Sequence, residues 1–166
     1  MTGFRARATG ISALAAAAVF ATLGVSAPAN AAETKSLTIE GELEIADLDV
    51  LAIKAEGVTD DTGKSTGTYE ATLLAGDDDN PLPFTVRGPI ICIHTDGDTA
   101  SLVYPISATD PNLIPAPLKD ALAVQITVRK GDPSKVGVNG PAPTDSFSGC
   151  KPAATPFEFD GDIEIK

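Results

Sequence analysis

The fold is decided by one stretch in the middle of the chain, Ile90-Ile91-Cys92-Ile93-His94-Thr95-Asp96-Gly97-Asp98-Thr99-Ala100-Ser101-Leu102-Val103. Two apolar runs flank Asp96-Gly97, a pair that tolerates the positive φ of a tight hairpin turn. A two-residue hairpin on this pair sets Ile93 opposite Ala100 and turns both, together with Ile91, toward a core. The stretch therefore predicts two antiparallel strands, with Cys92 on the face turned away from that core.

The same alternation of apolar and polar residues recurs along most of the chain. It begins in residues 37–45 and has the period of a half-buried strand, not the 3.6-residue spacing of a helix. Seven further segments bounded by Gly, Pro, Asp or Asn show it: 50–55, 68–75, 84–86, 90–94, 100–106, 122–129 and 157–165. Residues 113–121 have room for one helical turn, which two prolines keep short. The sequence predicts an all-β fold, a single antiparallel sandwich or barrel of about seven or eight strands.

The first and last predicted strands carry the same acids around a central glycine. Residues 39–45 read Ile-Glu-Gly-Glu-Leu-Glu-Ile, and residues 159–165 read Phe-Asp-Gly-Asp-Ile-Glu-Ile. One interpretation is a pair of functional acidic edges. The alternative, which we favour, is that exposed edge strands use outward acids and a glycine against edge-to-edge pairing. Like charges also predict that these two strands do not pair with each other.

The first 31 residues have the features of a secretory signal peptide. Arg5 and Arg7 form a basic start, residues 11–25 are apolar, and Ala29-Asn30-Ala31 is a cleavage site. The apolar run, about 15 residues and rich in alanine, is too short for a transmembrane helix, which needs roughly 20 apolar residues. We therefore expect cleavage after Ala31, a secreted protein with no membrane span, and a single β domain over residues 32–166.

The chain is strongly acidic, with 23 acidic and 12 basic residues and a net charge of −11. Two of the basic residues lie in the signal segment, which holds no acid, so the mature chain has a net charge of −13. Nucleic acids and anionic lipids are bound by clustered Lys and Arg, and the sequence has no such cluster. It also carries no cofactor motif. The expected partner is an unidentified extracellular or cell-envelope molecule.

Cys92 and Cys150 are the two cysteines of the chain. In an exported protein, an even number of cysteines without metal-ligand spacing predicts a disulfide, and two free buried thiols are the alternative. A bridge across this separation would stabilise the fold by roughly 4 kcal/mol. It would also tether residues 131–156, a stretch rich in Gly and Pro that we predict to be a loop, against the sheet.

Two acidic runs, at residues 77–80 and 96–98, contain the candidate metal ligands of the sequence. Asp77, Asp79 and Asn80 offer the carboxylate and amide oxygens that calcium prefers. However, Pro81 falls where a third side-chain ligand is needed, and no glutamate closes the loop. A solvated acidic turn is the interpretation that we favour.

His94 is the one histidine, so any catalysis by a Ser-His or Cys-His pair would have to use it. Ser101 and Ser148 are the candidate nucleophiles. No G-x-S-x-G motif surrounds either of them, and the cysteines are assigned to the bridge. We expect His94 to be a half-exposed strand residue and the protein not to be an enzyme.

Four segments resemble a group of small secreted actinobacterial proteins of unknown function. They are residues 88–100, 124–131, 145–150 and 161–165, which provide a cysteine before a hairpin turn, a strand leading into a Gly/Pro/Asp loop, a second cysteine and a glycine-led final strand. The resemblance covers about residues 84–166. This chain departs from the group at Asp98, where Asn is frequent, and in a longer insertion at 110–118. The resemblance implies the β fold and the disulfide and assigns no catalytic residue.

Three functions follow as hypotheses, of which the third is calcium-dependent adhesion through residues 77–80. The first is a non-enzymatic extracellular or cell-envelope domain with a binding or structural role. The alternative is a secreted inhibitor of a protease or another enzyme, which presents the proline-rich loop 110–117 or the tethered loop 131–149. Rigid loops suit inhibition because preorganisation lowers the entropy lost on binding.

Overall fold

In the computed structural model, which describes residues 34–46, 48–74 and 84–166, ten strands form one antiparallel sheet. The strands are β1 (Lys35–Ile45), β2 (Leu48–Thr59), β3 (Ser65–Leu73), β4 (Phe84–Pro89), β5 (Cys92–Asp96), β6 (Thr99–Pro105), β7 (Ala108–Asp110), β8 (Leu122–Arg129), β9 (Ser134–Pro143) and β10 (Phe157–Ile165). The helical elements of this part of the chain are short 3-10 turns at Ala116–Leu118, Thr144–Ser146 and Ser148–Cys150. No helix in the described ranges is long and apolar enough to cross a membrane. The predicted signal peptide lies outside those ranges.

The strand order across the sheet is β5-β6-β8-β9-β10-β1-β2-β3-β4-β7, and the sheet is open. This arrangement confirms the all-β antiparallel prediction, and all eight predicted strands are present. The two additional strands are β7 and β9. Most connections join neighbouring strands, so the hydrophobic faces follow the local alternation of the sequence.

The sheet folds back on itself around one core. At one crossing point Gly88 of β4 packs against the carbonyl of Pro105, leaving no space for a side chain on the glycine. At another, the Ile93 amide donates to the Ser65 hydroxyl across 2.9 Å. The buried core residues come from β1, β2, β3, β5, β6, β8, β9 and β10 and include Leu37, Ile39, Ile53, Tyr69, Leu102, Ile126, Val128, Val136 and Phe159. The half of the sheet that contains β2, β3 and β4 therefore buries its inner face against the half that contains β5 and β6.

The loop predicted at residues 131–156 is partly wrong, because β9 occupies Ser134–Pro143. Glycine in this stretch serves close packing. A Cβ added to Gly137 would lie 1.9 Å from the carbonyl oxygen of Ala154. The Gly and Pro content of the stretch had suggested that it lacks regular structure. Gly137 instead allows β9 to approach the segment around Ala154 closely.

The central hairpin has its predicted two-residue turn but a different register. The turn residues are Gly97 and Asp98, so Ile93 pairs with Leu102 and not with Ala100. Gly97 has a φ of 56°, which suits the first position of such a turn. The partner of each β5 residue on β6 is therefore shifted by two positions. Because side chains alternate between faces with a period of two, each paired side chain keeps its predicted face. Ile91 is the exception: it precedes β5 and is 46% exposed.

The prediction that the two acidic strands do not pair was wrong, as was their assignment to the edges. β1 and β10 are neighbours inside the sheet, with Glu40 opposite Asp162 and Glu42 opposite Asp160. Their inward side chains belong to the core, and this burial outweighs the repulsion between carboxylates that face water. Lys54 of β2 also lies 3.1 Å from the Glu40 carboxylate.

Candidate functional site

The predicted disulfide is present and holds a covering segment against the sheet. Cys92 of β5 is bonded to Cys150, with the two Cα atoms 6.0 Å apart. We name residues 144–156 the strap, because they lie over the outer face of β6 and β8. Val103, Ala123 and Phe147 pack around the disulfide in a second, small apolar cluster.

Side chains of β6 and β8 bind the backbone of the strap. The Ser101 hydroxyl donates to the Cys150 carbonyl, and the Gln125 amide donates to the Lys151 carbonyl across 2.7 Å. The Ala153 amide donates to the Thr127 hydroxyl across 3.0 Å. Buried polar groups are stabilising when they are paired in this way. The strap therefore explains why β6 and β8 are buried on both faces.

Two of the predicted candidates for catalysis, His94 and Ser101, are paired across β5 and β6, but the Ser101 hydroxyl is engaged elsewhere. His94 is half-buried in β5 and lies opposite Ser101. The Ser101 hydroxyl is buried and engaged with the strap, so its proton is already donated. Ser148 lies in the last 3-10 turn beside Cys150.

The calcium candidates Asp77, Asp79 and Asn80 lie outside the residues that the structure describes. Within the described ranges, no three His, Cys, Asp or Glu side chains are arranged to hold a metal ion.

The outer face of β10, β1, β2 and β3 is acidic, with several ion pairs. On this face, partial burial and the neighbouring Asp49 and Asp160 raise the pKa of the Glu42 carboxyl. On β3 and β4, Arg87 and Glu70 form an ion pair at 2.5 Å, which raises the pKa of the guanidinium. A cleft of about 460 Å³ beside this pair is lined by Lys54, Glu70 and Arg87 among others. Arg87 and Glu70 pair with each other, and Lys54 pairs with Glu40 outside the cleft.

A second concavity differs from this cleft in its chemistry. It has a volume of about 390 Å³ and lies between the two halves of the sheet, at the end where β6 finishes and β8 begins. We name it the end cavity. Its lining comes from β4, β6, β7, β8, β9 and the segments that follow β6 and β7: Phe84, Val86, Tyr104, Ile106, Thr109, Leu113, Ile114, Pro115, Leu118, Leu122, Val124 and Pro141.

The wall of the end cavity contains no charged side chain. Thr109 and Tyr104 provide its hydroxyl groups. The Thr109 oxygen accepts a hydrogen bond from the Leu113 amide at 3.0 Å, which fixes the start of the segment after β7. Leu113 and Leu118 form an apolar rim and are 66% and 50% exposed. The arrangement is a concave apolar surface open to water on one side.

Two stacked tyrosines connect the end cavity to the core. The rings of Tyr104 and Tyr69 lie 3.8 Å apart with an interplanar angle of 17°. Burial raises the pKa of both hydroxyls, and the Tyr104 hydroxyl raises that of Tyr69 further. The Tyr69 hydroxyl is buried and, among the described residues, meets no partner in hydrogen-bond geometry.

Sequence reasoning missed the end cavity because its lining is assembled from six separate segments. The one signal in the sequence was the proline-rich stretch that begins at residue 110. We interpreted residues 110–117 as a candidate inhibitory loop and residues 110–118 as an insertion relative to similar proteins. Its leucines were visible, but the inward faces of β4 and β8 that complete the wall depend on how the sheet folds over.

Comparison of the chain with protein-family models, curated proteins and solved structures found no match.

Proposed function

We propose that this protein is an exported, non-enzymatic binding domain that holds a small apolar molecule in the end cavity. The apolar lining of that cavity carries the proposal. Its volume of about 390 Å³ falls within the range of small-molecule sites, about 300–1,000 Å³, which are concave and mostly apolar. A ligand there would remove the exposed rim leucines from water, which is favourable in proportion to the apolar area covered.

Export and the absence of catalysis are parts of the same proposal. The signal-peptide pattern of the first 31 residues and the resemblance to small secreted actinobacterial proteins support export, as does a disulfide of the kind that persists in oxidising compartments. The engagement of Ser101 with the strap supports a non-catalytic role. The partner is then a small molecule met outside the cytoplasm.

The test is titration of the full chain, produced by export, with the neutral fluorescent probe N-phenyl-1-naphthylamine. We expect saturable binding to one site. Leu113→Asp, which places a charge on the rim, should weaken binding at least about fivefold, because the carboxylate would lose water when the probe binds. Leu48→Asp is the matched control, since Leu48 is equally exposed at 67% but lies at the start of β2. Absent saturation, or equal weakening by both variants, would refute the proposal.

One observation favours inhibition of a secreted protease or another enzyme as a second candidate. Leu113 projects from a segment with prolines at 111 and 115, and its backbone amide is held by Thr109. An exposed leucine on a restrained segment is suited to insertion into an apolar specificity pocket. A panel of extracellular proteases assayed at micromolar protein tests this candidate. Inhibition abolished by Leu113→Asp would support it, and no inhibition would exclude it for the proteases in the panel.

A further inference from the structure

We propose that the ligand of the end cavity is electrically neutral and hydrocarbon-rich, the size of a fused-ring or terpenoid molecule, and is neither a fatty acid nor an amine. This inference rests on the proposed function and names the chemical class of its ligand. It is argued from the volume of the end cavity, the charges around it and the hydroxyl groups in its wall.

The volume sets the size of the ligand. An apolar cavity of about 150 Å³ accommodates benzene, so about 390 Å³ fits a molecule of roughly 12 to 16 carbon atoms. A single aromatic ring would leave much of the wall without contacts, and each missing contact forfeits dispersion energy. A much longer chain would extend past Leu113 and Leu118 into water.

The lining excludes a charged group from the interior. A carboxylate or ammonium group placed there would lose its hydration without meeting an opposite charge, which is strongly unfavourable. Three charged residues directly follow lining residues in sequence, and all are exposed: Arg87, Asp110 and Lys119. Nearby, Asp120 already accepts a hydrogen bond from the Ser107 hydroxyl. Discrimination between neutral and charged ligands therefore arises from the wall itself.

The wall can hold one neutral oxygen atom of a ligand. Thr109 is buried, and its oxygen accepts the Leu113 amide proton. Among the described residues, the hydrogen of that hydroxyl has no acceptor, so it is available to an alcohol, ketone or ether oxygen. Thr109 and Tyr104 are the two hydroxyl-bearing residues of the wall, so a hydrocarbon with one neutral oxygen matches it better than a molecule with several polar groups.

The protein carries its own reporter for this site. It has two tyrosines and no tryptophan, and Tyr104 forms part of the wall while stacked on Tyr69. A ligand that contacts the Tyr104 ring should change the near-ultraviolet circular dichroism of the tyrosine pair. This signal is independent of the fluorescent probe. Tyr69 also lines the charged cleft beside Arg87, so loss of the change in Leu113→Asp would assign it to the end cavity.

The experiment uses compact ligands of matched shape, 1-methylnaphthalene and 1-naphthoate, in competition with N-phenyl-1-naphthylamine on the full chain. We expect the neutral compound to bind at least about tenfold more tightly near pH 7. Decalin, a neutral ligand that does not absorb in the near-ultraviolet, should change the tyrosine dichroism. The preference should shrink as the naphthoate becomes protonated in acid. Equal affinity near pH 7 would overturn the inference of neutrality and leave the proposed function standing. If the probe itself does not bind, the proposed function fails as well.

A variant outside the described residues tests the other possible occupant, which is the chain itself. Residues 75–83 join β3 to β4 and include Leu82, close in sequence to Phe84 of the lining. We expect Leu82→Ser to leave the affinity for 1-methylnaphthalene unchanged within about twofold. A gain of tenfold or more would show that Leu82 competes for the cavity, and the inference of an external ligand would be withdrawn.

Discussion

Gly41 lies directly opposite Gly161 across the β1–β10 pair, and the ring of Phe159 occupies the space in which a side chain on Gly41 would lie. A second cross-strand glycine pair, Gly57 and Gly67, joins β2 to β3. Pairs without side chains allow strands to bend strongly. These two positions thus let a sheet of ten strands fold over its own core.

Gly41→Ala should destabilise the protein by about 3 kcal/mol, because the new Cβ would overpack a tightly filled site. It would lie 2.2 Å from the Asp160 carbonyl oxygen and 2.8 Å from the Phe159 ring. Urea denaturation measures the change. Gly63→Ala is the control: its Cβ meets nothing within 4 Å, and its φ of 82° costs about 1 to 2 kcal/mol. If both variants lost the same stability, close packing at Gly41 would not be the cause.

The strands were predictable from sequence because inward and outward residues alternate locally. Pairing was less predictable, since it depends on partners distant in the chain. The acids of β1 and β10 suggested separation, yet the inward Ile39 and Ile163 are opposite each other in the core. Likewise β9 was not predicted, because its Gly and Pro content is typical of a loop. The strand forms through its pairing with β8 and β10.

The disulfide was the part of the site that sequence could establish, because Cys92 and Cys150 leave one possible pairing. The end cavity could not be found in this way. Its wall exists only where the start of β4, the end of β6 and the start of β8 meet. No local pattern distinguishes Val124, which belongs to the core and also lines this cavity, from Ile126, which belongs to the core alone.

Removing the disulfide should lower the free energy of unfolding by about 4 kcal/mol, because the chain between Cys92 and Cys150 regains entropy when unfolded. The double variant Cys92→Ala/Cys150→Ala measures this by urea denaturation. We expect it to retain its far-ultraviolet strand signal, since β1, β2, β3 and β10 lie outside the bridged loop.

Two controls accompany the disulfide variant. Thr127→Val removes the acceptor of the Ala153 amide while the bridge stays in place, and it should cost only about 1 to 2 kcal/mol. The wild-type protein should show no reactive thiol when denatured without reductant. Two reactive thiols in that state would contradict the bridge.

Glu42→Gln should stabilise the protein by a few tenths of a kcal/mol near neutral pH, an effect kept small by solvent screening. Partial burial, Asp49 and Asp160 raise the Glu42 pKa in the folded state, so the ionised carboxylate opposes folding. This penalty is complete above the raised pKa and disappears as the pH falls below the ordinary value of about 4.3. The gain should therefore fade in acid.

Glu56→Gln is the control for Glu42→Gln, since it removes the same charge where the paired residues are Thr38 and Thr68. Thermal denaturation across a pH series compares the two. A larger gain from Glu56→Gln would mean that net charge, and not the carboxylate neighbours of Glu42, determines the effect.

Tyr69→Phe should raise the free energy of unfolding by about 1 kcal/mol. It removes a buried hydroxyl that lies near the Tyr104 hydroxyl but, among the described residues, meets no partner in hydrogen-bond geometry, and it keeps the ring stacked on Tyr104. The pH dependence gives a second readout. Burial raises the Tyr69 pKa in the folded state, so above about pH 10 the unfolded chain releases this proton more readily and stability falls. Tyr69→Phe should lessen that alkaline loss, as urea denaturation near pH 7 and above pH 10 would measure. A loss of about 1 kcal/mol near neutral pH would instead show that the hydroxyl is hydrogen-bonded in solution.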